Sequence, residues 1–76
     1  MKELVEYIAK SLVDNPESVH VNEVEGSSMV VLELTVDDSD MGRVIGKGGR
    51  VVNAMRTLVD VAGGRRGKRV TLEIID

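Results

Sequence analysis

Apolar residues recur at helical spacing at the start of the chain: Leu4, Val5, Ile8, Ala9 and Leu12, with Glu3, Glu6 and Lys10 between them. This spacing predicts an amphipathic helix over residues 2–14. Asp14-Asn15-Pro16 stops it, because proline has no N–H to continue the ladder. Val19-His20-Val21-Asn22 alternates and predicts a strand over 18–25. Its phase slips at Glu23-Val24, which implies a bulge or an early end. Gly26-Ser27-Ser28 reads as a turn. Residues 29–36 form the clearest strand, with Val30, Leu32, Leu34 and Val36 on one face and Val31, Glu33 and Thr35 on the other. Asp37-Asp38-Ser39-Asp40 supplies N-caps for a short helix over 39–46, which Gly46-Lys47-Gly48-Gly49 breaks. A second helix follows over 50–62, with Gly63-Gly64 as its C-cap. Arg65-Arg66-Gly67 is then a basic loop, and residues 68–75 are a last strand with Val70, Leu72 and Ile74 on one face. The order α-β-β-α-α-β implies an α+β sandwich, one three-stranded sheet covered by helices on one side. No repeat or low-complexity stretch divides the 76 residues, so one domain over 1–76 is expected.

Composition narrows the functions open to such a domain. With no cysteine, neither a disulfide framework nor a thiolate metal site is available. Tyr7 is the one aromatic residue, which excludes RNA-binding platforms that stack bases on several exposed rings. No apolar run approaches the length of a membrane span, and Glu3 and Glu6 interrupt any leader-like stretch, so a soluble cytoplasmic protein is expected.

The formal net charge of −3 conceals a division. Residues 1–40 carry ten acids against two bases, and residues 41–76 carry eight bases against three acids. All eight of those bases lie between Arg43 and Arg69, with Asp60 the single acid among them. One face suited to a polyanion, and another kept clear of it, is the reading this supports.

The most informative segment is Val44-Ile45-Gly46-Lys47-Gly48-Gly49-Arg50-Val51-Val52. Glycine at both ends of a four-residue loop gives access to positive φ and lets another backbone lie close. The helix that follows offers its free N–H groups at the same place, where phosphate is favoured, and Lys47 and Arg50 add cations. Other glycine motifs fit poorly. Gly42-Arg43-Val44-Ile45-Gly46-Lys47-Gly48 is one residue short of a P-loop and lacks the Ser or Thr that would hold magnesium. The dinucleotide pattern fails at Val51. Without a cysteine nucleophile or a second histidine beside His20, no catalytic or metal-binding constellation emerges, and no enzyme activity or cofactor is expected.

Ile45-Gly46-Lys47-Gly48-Gly49, with Val52 at the third position after the loop, resembles the signature of the KH domain. The resemblance spans the chain, because α-β-β-α-α-β is the order of the type II KH domain, a three-stranded mixed sheet covered on one face by three helices. It points to the small stand-alone KH proteins of bacteria, the KhpA group. That resemblance implies single-stranded RNA as partner, an RNA-chaperone or regulatory role, self-association, and pairing with a larger KH-containing protein linked to cell elongation. It implies that Gly46, Lys47, Gly48 and Gly49 clamp the RNA backbone, with Arg50 and Asn53 beside them and Arg43 and Val44 lining a groove for bases. Ile45 and Val52 are expected in the core. Gly63 to Lys68 corresponds to the variable loop that closes the groove, which brings in Arg65, Arg66 and Lys68.

The second helix carries an apolar arc of about 180°, wider than the stripe of about 100° a one-sided helix needs. Its surplus edge, Ala54, Leu58 and Val61, is either a subunit contact or a part of the helix sunk deeper into the core. A module devoted to protein–protein pairing, with little RNA binding of its own, is the alternative reading; single-stranded DNA would use the same groove.

Overall fold

The computed structural model describes residues 1–75; Asp76, the last residue of the expected domain, lies outside them. Helix α1 spans Lys2–Leu12, strand β1 His20–Glu25, strand β2 Met29–Thr35, helix α2 Met41–Ile45, helix α3 Arg50–Gly64 and strand β3 Arg69–Ile74. Short 3-10 turns at Pro16–Ser18, Asp38–Asp40 and Lys47–Gly49 connect them. The sheet order is β1-β2-β3, with β1 antiparallel and β3 parallel to the central β2. The α+β class and the mixed three-stranded sheet are therefore as expected.

Strand alternation decides which face is covered. Val30, Leu32 and Leu34 of β2 pair across with Val70, Leu72 and Ile74 of β3, and this face meets the helices. Val5 and Ala9 of α1, and Val52, Met55 and Val59 of α3, close the core against it. The core is built almost wholly of branched aliphatics, so its stability comes from burial and close fit with no ring contacts.

Three local expectations change. The pairing of β1 with β2 runs unbroken from His20–Thr35 to Glu25–Val30, with no bulge at Glu23-Val24. The phase slips because the helices do not cover the second half of β1: Glu23 and Glu25 share the face of Val21 yet stay exposed, and Val24 lies on the open face. Helix α1 ends at Leu12, with Val13 already extended. The chain leaves the helix early because the N–H groups of Asp14 and Asn15 turn to the buried carboxylate of Asp40 (3.1 and 3.0 Å).

The third change concerns Gly63-Gly64, which do not cap α3 but belong to it. Gly63 is buried, and a Cβ there would stand 2.4 Å from Cγ2 of Val70 and 2.9 Å from the Lys68 carbonyl oxygen. Its smallness serves the close approach of β3 and not the end of the helix. The residue that turns the chain is Gly67, at φ +72. The Gly67 and Lys68 amides donate to the carbonyls of Gly64 (3.1 Å) and Gly63 (3.0 Å).

Candidate nucleic-acid interface

Residues 46–49 join α2 to α3 in a turn that glycine alone fits well. Gly46, Gly48 and Gly49 have φ of +76, +64 and +79. At Gly46 a Cβ would also meet Cγ2 of Val51 at 2.4 Å and the Val51 backbone nitrogen at 2.9 Å. Gly48 faces open space. The Gly46 amide closes α2 on the Gly42 carbonyl (2.9 Å), and the Gly49 amide bonds back to Gly46 (3.1 Å). The amides of Lys47 and Gly48 precede that first internal bond. Lys47 and Arg50 are exposed, and no ion pair among the described residues engages either. Two exposed donor-only side chains flank the glycine turn, an arrangement suited to phosphate oxygens.

The neighbours of the turn depart from expectation. Val44 is fully buried in the core, whereas Ile45 is 37% exposed beside the loop. The structure thus exchanges their expected places: Val44 is in the core, and Ile45 is the one with exposed apolar surface. Helix α2 has only five residues, too few for periodicity to phase its two apolar positions. Val52 is in the core as expected. Asn53 is exposed on the first turns of α3, its side-chain nitrogen 3.4 Å from where a Gly49 Cβ would stand.

Arg43 is not an open cation. Its guanidinium reaches Asp14 at 3.1 Å and Asp40 at 3.6 Å. Asp40, 1% exposed, was not foreseen in this role; it stood in the sequence only as one of several caps. Its carboxylate accepts from the Asp14 amide, the Asn15 amide and the Asn15 side chain (3.0 Å). The Asp14 amide above all, with Asn15 and Arg43, holds this carboxyl below the ordinary aspartate range, against burial, which works the other way. This clasp ties the end of α1 to the start of α2 and so fixes the arm that carries the glycine turn. Asp37 caps the 3-10 turn instead, accepting from the Ser39 amide at 3.0 Å, while Asp40 sits at the N-cap position of α2 without a capping bond.

Arg65, Arg66 and Lys68 lie at the opposite end of α3. At a rise of about 1.5 Å per residue, the 15-residue helix separates them from the turn by about 22 Å. Lys68 pairs with Glu25, whose carboxyl it holds below the ordinary range by hydrogen bond and charge. The structure therefore makes two cationic ends, Lys47 and Arg50 at one and Arg65 and Arg66 at the other. Ala54, Leu58 and Val61 are exposed, the last two by 50% and 55%. Among the described residues no helix is long and apolar enough to cross a membrane, and no group of acids and histidine is placed to hold a metal ion.

A mixed three-stranded sheet, a helical layer on one face and a glycine turn between two helices define the KH class. The chain belongs to the KhpA/KhpB KH-domain family, whose model matches residues 2–74. It is 60% identical over 75 residues to the RNA-binding protein KhpA of Clostridium perfringens, covering 99% of this chain and all of that protein. It is 50% identical to the RNA-binding protein KhpA of Aquifex aeolicus, over all of this chain and 96% of the relative. The likeness to the RNA-binding protein KhpA of Chlamydia trachomatis is 47%, over all of this chain and 97% of the relative. No solved structure matches the chain.

Proposed function

We propose that this chain binds single-stranded RNA without catalysis, holding the backbone at Gly46–Gly49 and a base against the apolar surface of Ile45. The observation that carries the reading is the turn itself: three glycines at positive φ, with Lys47 and Arg50 exposed and engaged by no ion pair among the described residues. The relatives, named as RNA-binding proteins over the whole length of the chain, support it. With one aromatic residue, on α1, base stacking plays no part, and specificity is low. Arg65, Arg66 and Lys68 add long-range attraction, and the cytoplasm is where such a protein meets its RNA.

The test is Lys47→Asp combined with Gly48→Asp. Gly48 faces open space, and aspartate tolerates its left-handed backbone at a cost of about 1 kcal/mol, so the variant folds. It is expected to lose single-stranded RNA binding while its circular dichroism is retained. A folded variant that binds as the wild type does removes the turn from the mechanism. With Lys47, Arg50 and one distant arginine neutralising phosphates, log affinity falls against log salt with a slope of about −2.

A specific observation supports self-association as well. Ala54, Leu58 and Val61 form an exposed apolar stripe on α3, clear of the core, which fits a weak homodimer or pairing with a larger KH protein. Two copies on one strand gain avidity over a single four-nucleotide grip. Val61→Asp is expected to yield a folded monomer by sedimentation where the wild type dimerises at high concentration. A wild type that stays monomeric at that concentration ends this reading.

A further inference from the structure

The two sides of the glycine turn are held differently. Gly49 and Arg50 run straight into α3, whose 15 residues are packed on the sheet through Val52, Met55 and Val59. Gly46 and Lys47 hang from α2, which has five residues, too few for a helix to stand without packing. Within α2 only Val44 is sunk in the core; Met41 is half-buried, and Gly42, Arg43 and Ile45 are exposed. A single deep apolar pin leaves a short helix free to turn about it, and a slip of one residue is a turn of about 100°.

Asp40 is the second pin. It stands four residues before Val44, one helical turn away and on the same side of α2, and it is the one charged residue buried among the described residues. Its two carboxylate oxygens receive the Asp14 amide, the Asn15 amide and the Asn15 side chain, and Nε of Arg43 lies 3.6 Å away. Directed donors from a segment 26 and 25 residues away fix both a position and an angle, which apolar contact alone does not. A buried ion contributes little net stability compared with an apolar side chain of the same size; what it specifies is one arrangement among several. The arrangement specified here is the rotation of α2, and Gly46 begins about 9 Å along the chain from Asp40.

We infer that Asp40 is a positioning residue for the RNA grip: by pinning α2 to the end of α1 it holds Gly46 and Lys47 in the conformation that meets phosphate, without touching the strand itself. This rests on the RNA-binding reading above. It also separates the two cations of the turn, because Lys47 depends on the clasp and Arg50, carried by α3, does not.

Asp40→Asn keeps the shape of the side chain but offers one acceptor oxygen where two receive three donors, and it removes the charge facing Arg43. Titrated by fluorescence anisotropy with an eight-nucleotide uridine strand over a range of salt, the folded variant binds about tenfold more weakly than the wild type. Its slope of log affinity against log salt is shallower by about 0.7, the share of one phosphate. Lys47→Gln gives the same change of slope. Asp40→Asn added to Lys47→Gln weakens binding no further, whereas added to Arg50→Gln it keeps its tenfold cost. An unchanged slope, an additive cost on Lys47→Gln, or Asp40→Asn binding as the wild type does overturns the inference and leaves Asp40 a contributor to stability alone. A second measurement needs no variant, and so stands even where Asp40→Asn does not fold. Coupling is reciprocal, so a saturating strand slows hydrogen exchange at the Asp14 and Asn15 amides of the wild type by about tenfold. Exchange there that the strand leaves unchanged overturns the inference while the turn stands. A wild type that binds no strand brings down the RNA-binding reading itself, and the positioning role with it.

Discussion

Two glycine clusters flank α3, and they are alike only as text. Gly46, Gly48 and Gly49 are needed for their backbone: all three have positive φ, and two of them have little or nothing in the way of a side chain. Gly63 and Gly64 are ordinary helical residues. Gly63 is needed for its lack of volume, because β3 passes within contact distance, whereas next to Gly64 nothing stands within 4 Å. A glycine in a sequence therefore marks either a conformation or a close approach, and the two demands respond differently to the same added methyl group.

The largest effect is expected at Gly46, where both demands coincide. Gly46→Ala meets left-handed strain of about 1–2 kcal/mol and a collision with Val51 of the overpacking kind, about 1–3 kcal/mol. A domain of this length has on the order of 4–11 kcal/mol in total, so urea denaturation should show a large fall in midpoint. Gly63→Ala comes next, at about 1–3 kcal/mol lost, because the Lys68 carbonyl it meets is backbone. Gly64→Ala should go the other way and stabilise by about 0.5–1 kcal/mol, since it gains helix propensity and meets nothing. Equal effects at 63 and 64 would break the distinction between them.

The smallest effect concerns pH. Asp40 titrates below its unfolded value of about 3.9, so its contribution is fully present above that value and fades as pH falls through the lower folded one. Thermal unfolding of the wild type should lose stability over that acid range more steeply than that of Asp40→Asn, whose side chain does not ionise. Matching acid profiles would mean that the clasp carries no charge-dependent share.

What was legible in the sequence followed from period and from local chemistry. Alternation in residues 29–36 gave the central strand and its buried face, and the spacing in residues 2–14 gave α1 to within two residues of its end, because each pattern repeats often enough to be phased. The glycine turn was legible because its need is local. Illegible features depend on partners distant in the chain. Asp40 reads as a cap until Asp14 and Asn15, 26 and 25 residues away, bring their amides to it. Gly63 reads as a helix stop until Val70 is seen against it. Val44 and Ile45 exchange places because a five-residue helix gives no period to choose between them. Arg65 and Arg66 read as part of a loop closing the groove, and their distance from the turn shows only once the length of α3 is known.

The central claim, that the turn at 46–49 is where RNA is held, is tested most directly by titrating a short uridine strand into the labelled protein and following backbone amide shifts by NMR. The account predicts the largest shifts at Lys47, Gly48, Gly49 and Arg50, with Ile45 and Asn53 following and the open face of the sheet around Val24 and Val31 unmoved. Shifts confined to that open face, or to Ala54, Leu58 and Val61, with the turn silent at saturation, would contradict it.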